Sequence, residues 1–499
     1  MTSAWDAGHG SGVSRIRRIR GGGEAEPAPR PRVRARPIEL IDARPQRDES
    51  FALGGIDIDG LFALALFLPM LFIGNITTMG GAVIAALVPL YLFLRRDRLF
   101  EVFLPRSFLF LIPGYALFSV IWSEATGESL RYSVELLVTI CAGLLLSSAR
   151  NQEAVIRGIA VAFLCYVAAS LFFGHSVGIG VGAGGEALAG LSSGKNLLAD
   201  IAAHGLVVSA AVTLMAMQGR SWLWILFGLV AIGLDLYCAL AARSAGALVG
   251  MGMAIMAFAG LTPLVYAGKV VRAWVTGMVG VCLVAIGLSY STIAQALMTI
   301  GTSVFDKDST LTGRTYLWYR AADLIRESPL LGHGFYAFWL QGNIDAEGLW
   351  RYFGMDNRGG FTFHNTFVEI LVMLGWVGLT LIGAVVLTGV LFLVRRFVTK
   401  PNLPLVFWIS ILMYELARTP IETIGVAPFY FSTALLFGAL GAAFRRDRSR
   451  RREREEAQAR ALAVQTWTIP TAPPPWAAAR PAPGAARLRL VKSGAPEEQ

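Results

Sequence analysis

Uninterrupted apolar runs alternate with short polar connections along most of this chain. They fall near 60–75, 79–94, 107–122, 130–148, 155–173, 197–217, 222–241, 245–266, 273–293, 366–394, 403–418 and 426–444. A helix needs roughly 18 or more apolar residues to cross a bilayer, so this pattern predicts an all-α polytopic membrane protein with about twelve transmembrane helices. The run 366–394 is long. Either Gly375 divides it into a short leading helix and a spanning helix, or one helix tilts. Between 294 and 365 the pattern changes. Apolar positions recur at helical spacing around Tyr316, Leu317, Tyr319, Ala322 and Ile325, among aromatic and charged neighbours. A segment of this length inside a packed fold is usually functional or disordered. Its composition predicts a partly helical subdomain.

Composition agrees with a membrane protein. The chain has 499 residues, 55% hydrophobic and 16% charged, against roughly 25% charged in soluble proteins. Mean hydropathy is +0.56. The net charge of +10 is concentrated at the two ends and in short loops, which makes it a topology signal and not a nucleic-acid footprint. Both ends are arginine-rich, so both are expected in the cytoplasm, with an even number of spans. The connections holding Arg95, Arg96, Arg98 and Arg106, then Arg150 and Arg157, Arg220, Lys269 and Arg272, and Arg395, Arg396 and Lys400 then fall on the cytoplasmic side. Segments 123–129, 174–196 and 294–365 fall outside.

The expected division is a disordered tail at 1–54, helices over 55–293, an external subdomain at 294–365, further helices over 366–444, and a basic, then Pro/Ala-rich tail at 445–499. Residues 1–54 are too long and polar for a signal peptide, which leaves the first span as an uncleaved insertion signal. Cys141, Cys165, Cys238 and Cys282 lie in apolar runs and suggest neither disulfides nor a zinc site. No internal repeat is evident, which disfavours transporter folds built from inverted repeats.

Three short motifs occur in order: Gly313-Arg314-Thr315-Tyr316-Leu317-Trp318, Pro329-Leu330-Leu331-Gly332-His333-Gly334-Phe335, and Phe363-His364-Asn365-Thr366 leading into a span with Gly375 and Gly378. This ordered set resembles the O-antigen ligase and O-antigen polymerase (Wzy-type) superfamily. The Gly-Arg-Thr spacing and Ala337-Phe338-Trp339 look most like its ExoQ-like exopolysaccharide-polymerase branch. The resemblance implies a metal-independent glycosyltransferase of the inner membrane, without cofactor. It would take a glycan from an undecaprenyl diphosphate carrier on the periplasmic face and pass it to a hydroxyl of a lipid-linked repeat unit. Membrane lipid and a chain-length regulator are the further partners it suggests. A ligase that transfers to the lipid A core shares the same motifs. A transporter or lipid-linked oligosaccharide flippase is the rival from another class.

The chemistry can be set against the residues. A diphosphate leaving group needs cationic stabilisation; the Asp-x-Asp spacing in the long external segment, Asp306-Lys307-Asp308, holds a lysine that can balance its acids and is not read as a metal site. Arginine can serve through permanent, bidentate contacts to phosphate, so Arg314 and Arg243 are candidates. Arg243 lies at the external end of the 222–241 run, in Ala-Arg-Ser-Ala-Gly, where related sequences typically have Ser-Arg. A sugar hydroxyl needs a base, and histidine has a suitable pKa. His364, at the external boundary, is the candidate base or donor-binding partner. Lys195 and Asn196 open the 197–217 run from outside, a cation at a helix N-terminus suited to an anion. Asn365 and Glu369, one turn apart, are candidate substrate-binding residues.

Blander roles are open beside these. Arg243 could anchor a helix end in headgroups, His364 and Asn365 could cap the next helix, and His333 between glycines could serve a turn. Asp200, Asp235, Glu369 and Glu415 fall inside apolar runs, where charge is functional or paired. Arg418 and Glu422 are placed to pair with each other.

Overall fold

A computed structural model describes residues 52–53, 56–96, 99–180, 183–288, 309–355 and 361–445. The expectations for the N-terminal tail, for the C-terminal arginine run and Pro/Ala-rich tail, and for Asp306, Lys307 and Asp308 lie outside the described residues. Within these residues each apolar run falls mainly on helix, and the last one becomes helical only from Phe431. The helices are α1 (Ile58–Leu71), α2 (Ile73–Leu94), α3 (Leu99–Phe103), α4 (Leu111–Phe118), α5 (Thr126–Ser148), α6 (Gln152–Phe173), α7 (Lys195–Gln218), α8 (Trp222–Ala241), α9 (Ala245–Leu264) and α10 (Lys269–Leu288). After them come α11 (Ser309–Glu327), α12 (Ile344–Tyr352), α13 (Thr366–Thr399), α14 (Leu403–Arg418) and α15 (Phe431–Ala442). Among the described residues, seven helical stretches are long and apolar enough to cross a membrane, and Ile58–Leu71, Thr78–Leu94 and Phe431–Ala442 are shorter apolar helices.

Local sequence explains where several helices begin. Asp57, Asn151, Asn343, Asn365 and Asn402 each accept backbone N–H groups of the first turn that follows. Each such cap stabilises its helix by about 1 kcal/mol. Pro404 stands in the first turn of α14, where its missing N–H has no partner to lose. The central helix is α7, buried on nearly all sides and packed against α6, α8, α9 and α14. Where α5 crosses α15, a Cβ at Gly143 would lie 2.3 Å from the Ala434 carbonyl oxygen, so only glycine permits that approach.

Two departures from the sequence pattern are instructive. The glycine-rich 174–196 segment, to which the sequence pattern assigns no element, folds back as an antiparallel hairpin in which His175–Gly180 pairs with Ala183–Gly190. Glycine obscures strand alternation because it adds no side chain to read. In α11 the buried positions are Leu317, Ala321 and Leu324, while Tyr319 stays 65% exposed. The inner stripe therefore lies one step round the helix from the Ala322 and Ile325 positions. Those inner residues, with Phe338, Ala346, Leu349, Trp350, Phe363 and Val372, form a second apolar core of their own.

Gly375 breaks α13 at φ +62°, ψ −168°, so a leading helix joins a long apolar one. A break inside a membrane protein strands backbone groups that lipid cannot satisfy. Here the Pro329–Phe335 motif satisfies them. His333 and Gly334 donate N–H to the carbonyls of Val372 and Met373, each at 2.9 Å, and Trp376 and Val377 donate to Pro329 and Leu330 at 2.9 and 3.2 Å. The approach is so close that a Cβ on Gly375 would lie 2.3 Å from the Leu330 carbonyl, and one on Gly332 would lie 2.5 Å from the Met373 carbonyl carbon. Gly375→Ala must therefore push the facing backbones apart as well as adopt a left-handed conformation, a strain of about 1–3 kcal/mol before the lost hydrogen bonds. We expect this variant to melt well below wild type in detergent. An unchanged melting profile by tryptophan fluorescence would contradict the interlock.

The basic connections gather where α13 ends. Arg445 donates to the Arg150 carbonyl at 2.8 Å, Arg106 to Gly441 at 3.0 Å, Arg272 to Val398 at 3.0 Å, and Arg396 to Arg445. Arg95 pairs with buried Asp59, which also accepts from the Arg150 N–H. Residues 119–129, by contrast, are sewn to the Pro329–Phe335 segment at the kink: Trp122 donates to Leu331, Phe335 to Ser119, and Ser129 to Phe335.

Candidate functional site

One carboxylate organises the candidate site. Glu422 lies in the turn between α14 and α15. Its Oε2 accepts from His364 Nδ1 at 2.9 Å, its Oε1 accepts from Arg314 Nη2 at 3.0 Å, and Arg418 Nη2 stands 3.9 Å from the same Oε1. Arg314 from α11 and His364 from the start of α13 thus meet on residues far apart in sequence. The turn is clamped in place: Thr366 donates its hydroxyl to the Glu422 carbonyl at 2.8 Å and its N–H to Thr419 at 2.9 Å, and Ile424 donates back to the Thr366 hydroxyl at 2.8 Å.

Burial pushes the Glu422 carboxyl upward, but the His364 hydrogen bond and the charges of His364, Arg418 and Arg314 outweigh it and hold the group below the ordinary glutamate range. An ionised Glu422 can only accept, so Nδ1 of His364 carries the proton of this contact, and in the neutral ring Nε2 is the nitrogen that holds the lone pair. The His364 side chain is 31% exposed. His364 also adopts φ +50° and Arg243 φ +48°, a region sparsely used by non-glycine residues and enriched at functional sites.

The remaining candidates divide by role. Asn365 caps α13 through Oδ1, accepting from Phe367 and Val368 at 2.9 and 3.2 Å. Buried Glu369 accepts from Trp339 Nε1 at 3.1 Å, the Phe363 N–H at 2.8 Å and the Thr423 hydroxyl at 3.4 Å. Both side chains hold the backbone on either side of His364, with these acceptor oxygens engaged by the protein. Lys195 and Asn196 form the first turn of α7, and Asp200 on that helix pairs with Arg418. Arg243, in the turn between α8 and α9, is exposed and has no side-chain hydrogen bond or ion pair among the described residues. Gly246, close behind it, packs on Ile421 beside Glu422.

Of the acids expected inside apolar runs, Asp200, Glu369 and Glu415 have both oxygens engaged, while Oδ1 of Asp235 has no partner among the described residues. Asp200 accepts from Arg418, from Tyr414 at 2.7 Å and from Tyr430 at 3.1 Å. His204 places Nε2 at 2.8 Å from Glu415 and Nδ1 at 2.8 Å from the Asp200 carbonyl, and Ser432 donates to Glu415 at 2.8 Å. Asp235 accepts from Ser209 at 3.0 Å.

Sequence reading missed the central position of Glu422, expected only to pair with Arg418, and the Trp339 indole that orients Glu369. A carboxylate just past an amphipathic helix with arginine one turn earlier was the only signal for Glu422.

His333 has a turn role of a particular kind. Nδ1 lies 2.5 Å from Glu124 Oε1 and Nε2 lies 3.0 Å from the Leu324 carbonyl. Both ring nitrogens face acceptors, so the doubly protonated ring satisfies both. Burial lowers its pKa, but the Glu124 bond and the Leu324 carbonyl more than restore it, and the pKa rises above 6.5. The stabilisation this gives is complete below 6.5 and is lost as pH rises through the raised folded value. We expect melting temperature to fall across that alkaline window in wild type and to be flatter in His333→Gln. Equal slopes in a pH series of thermal melts would contradict it.

The O-antigen ligase family model matches residues 230–383, a stretch that contains Arg243, Arg314, His364, Asn365 and Glu369. The chain is 28% identical over 403 residues to the exopolysaccharide production protein ExoQ of Rhizobium meliloti (strain 1021), an alignment covering 78% of this chain and 88% of that protein. By its helical architecture the chain is an all-α polytopic membrane protein, similar to the O-antigen ligase family over residues 230–383 and to ExoQ along most of its length.

Proposed function

We propose that this protein polymerises an exopolysaccharide at the periplasmic face of the inner membrane, transferring glycan from an undecaprenyl diphosphate carrier to a hydroxyl of a lipid-linked repeat unit. The observation that carries this reading is the meeting of His364 and Arg314 on Glu422. His364 Nε2 takes the proton of the acceptor hydroxyl as its oxygen bonds to the donor's anomeric carbon. The bond from that carbon to the diphosphate oxygen breaks, and the electron pair leaves on the diphosphate. Arg314 and Arg243, with Lys195 and Asn196 at the start of α7, meet its charge. Guanidinium groups fill the place a metal ion takes in many soluble transferases, so the reaction is metal-independent in this reading. Asn365 and Glu369 hold the His364 loop against the donor. A membrane-embedded chain similar to ExoQ, with helices that alternate basic and non-basic connections, supports this placement.

The family model's description favours one second reading, a ligase that delivers glycan to the lipid A core. Charges between helices, which a transporter would require, occur at Asp200, His204, Glu415 and Arg418, which pair among themselves, and at Asp235, which accepts from Ser209. Reconstitution in liposomes with a lipid-linked repeat unit separates the three. A ladder of products on a gel is the expected result. Single transfer to a lipid A core acceptor makes it a ligase, and movement of the lipid-linked glycan without any transfer makes it a flippase.

A further inference from the structure

We propose that Arg418, locked by Asp200, is a positioning residue that keeps Glu422 aligned on His364 while Arg314 turns to the diphosphate; this rests on the reading of His364 as the base.

Two cations share Glu422 Oε1, but they differ in freedom. Arg314 comes from the external helix α11 and its side chain is 23% exposed. A diphosphate arriving at the site competes with Glu422 for that guanidinium, because it offers more charge and more acceptor oxygens. Arg314 cannot both serve the leaving group and hold Glu422 still. Arg418 can hold it. Its side chain is 3% exposed, and Nη1 is fixed by Asp200 and by the Tyr414 hydroxyl at 3.1 Å. Its Nη2 faces Glu422 at 3.9 Å, from one turn earlier on the same chain segment. Nε has no partner, so the guanidinium is not saturated by its present contacts. A Cβ on Gly250 of α9 would touch Arg418 Cγ at 3.0 Å, so the stem is also confined from the side.

Asp200 in turn is held from three directions, by Tyr414, by Tyr430 and by His204, whose far nitrogen meets Glu415. The groups facing the His364–Glu422 pair are therefore Arg314 from α11 and Arg418 from α14. Glu369 of α13 stands behind, joined through Thr423. Asp200 and His204 of α7, Glu415 and Tyr414 of α14, and Tyr430 form the layer that fixes Arg418. Such an arrangement separates a mobile cation for the substrate from a fixed cation for the base.

The test measures kcat and KM for the lipid-linked donor against pH, using full-length protein in liposomes. Arg418→Gln removes a positive charge beside the pair, which then takes up a proton more readily. The acid limb of kcat moves to higher pH by about one unit, the scale of an opposite charge within ~4–6 Å. The plateau kcat falls about tenfold or more while KM stays within about twofold, because the interaction serves the transition state and not donor binding. An unmoved acid limb, or a loss carried by KM, overturns the proposal. Arg418→Lys keeps the charge opposite Asp200 and covers failure of the glutamine variant to insert. It keeps the wild-type limb and loses plateau kcat, and wild-type kcat in this variant overturns the proposal. His364→Gln separates the two levels. If that variant retains wild-type rate and limb, the reading of His364 as base falls and takes this inference with it. If it is inactive while Arg418→Gln leaves the limb in place, this inference alone falls.

Discussion

His364→Gln stops chain elongation, with a transfer rate about 10²–10⁴-fold below wild type, the range that general-base catalysis supplies. Glutamine keeps a donor that can face Glu422 and removes the ring nitrogen able to accept a proton. The loss should fall on kcat and leave donor binding nearly intact. The variant should also fold. His364 is partly exposed, and its backbone is held by neighbours: Asn365 caps α13, Glu369 binds the Phe363 N–H, and Thr366 ties the Glu422 turn. Single-turnover transfer from a radiolabelled lipid-linked donor checks this directly. A variant with wild-type single-turnover rate would show that the imidazole is only a cap to the helix behind it.

Arg314→Lys should be nearly as damaging as Arg314→Ala, with losses of about 10²–10³-fold, typical of removing one donor aimed at developing charge. Both arginine and lysine carry a positive charge, so a charge-only role would let lysine rescue. Arginine is required by its planar fork, which presents two N–H donors side by side to the phosphate oxygens when it turns from Glu422. In the resting site one Nη already meets Glu422 at 3.0 Å. Lysine offers a point charge and cannot present that paired geometry. Rescue by lysine to within about threefold in the same assay would contradict the bidentate role.

The fold was legible where burial follows composition. Apolar runs mark helices because a bilayer offers backbone groups no other partner, and each run named from the sequence falls mainly on helix within the described residues. The long run left a break at Gly375 and a tilt both open, and the structure breaks it at that glycine. What could not be read was the partner of that break. Pro329–Phe335 looks like a turn motif, and only the fold places its carbonyls and N–H groups against residues 372–377. The hairpin at 175–190 was hidden for the opposite reason, since its glycines give no alternation.

The same limit applies at the site. His364 and Arg314 could be picked from residue type and motif, because few side chains suit a proton transfer or a diphosphate. Glu422 could not. Its nearest chemistry in sequence is Arg418, and that ion pair was expected, yet its decisive contacts lie 58 and 108 residues away. Asn365 and Glu369 show the reverse. Their motif position suggested substrate contact, while the structure engages their oxygens with the helix cap and the His364 loop. A polar residue next to a reactive one is as often its support as its colleague.

A double-mutant cycle on His364 and Glu422 tests the central claim most directly. If the carboxylate acts by setting the imidazole's proton and orientation, Glu422→Gln slows the wild type yet costs almost nothing further once His364 is glutamine. Losses in kcat that multiply across the two positions would mean that carboxylate and imidazole work separately, and that the site does not run on a paired base.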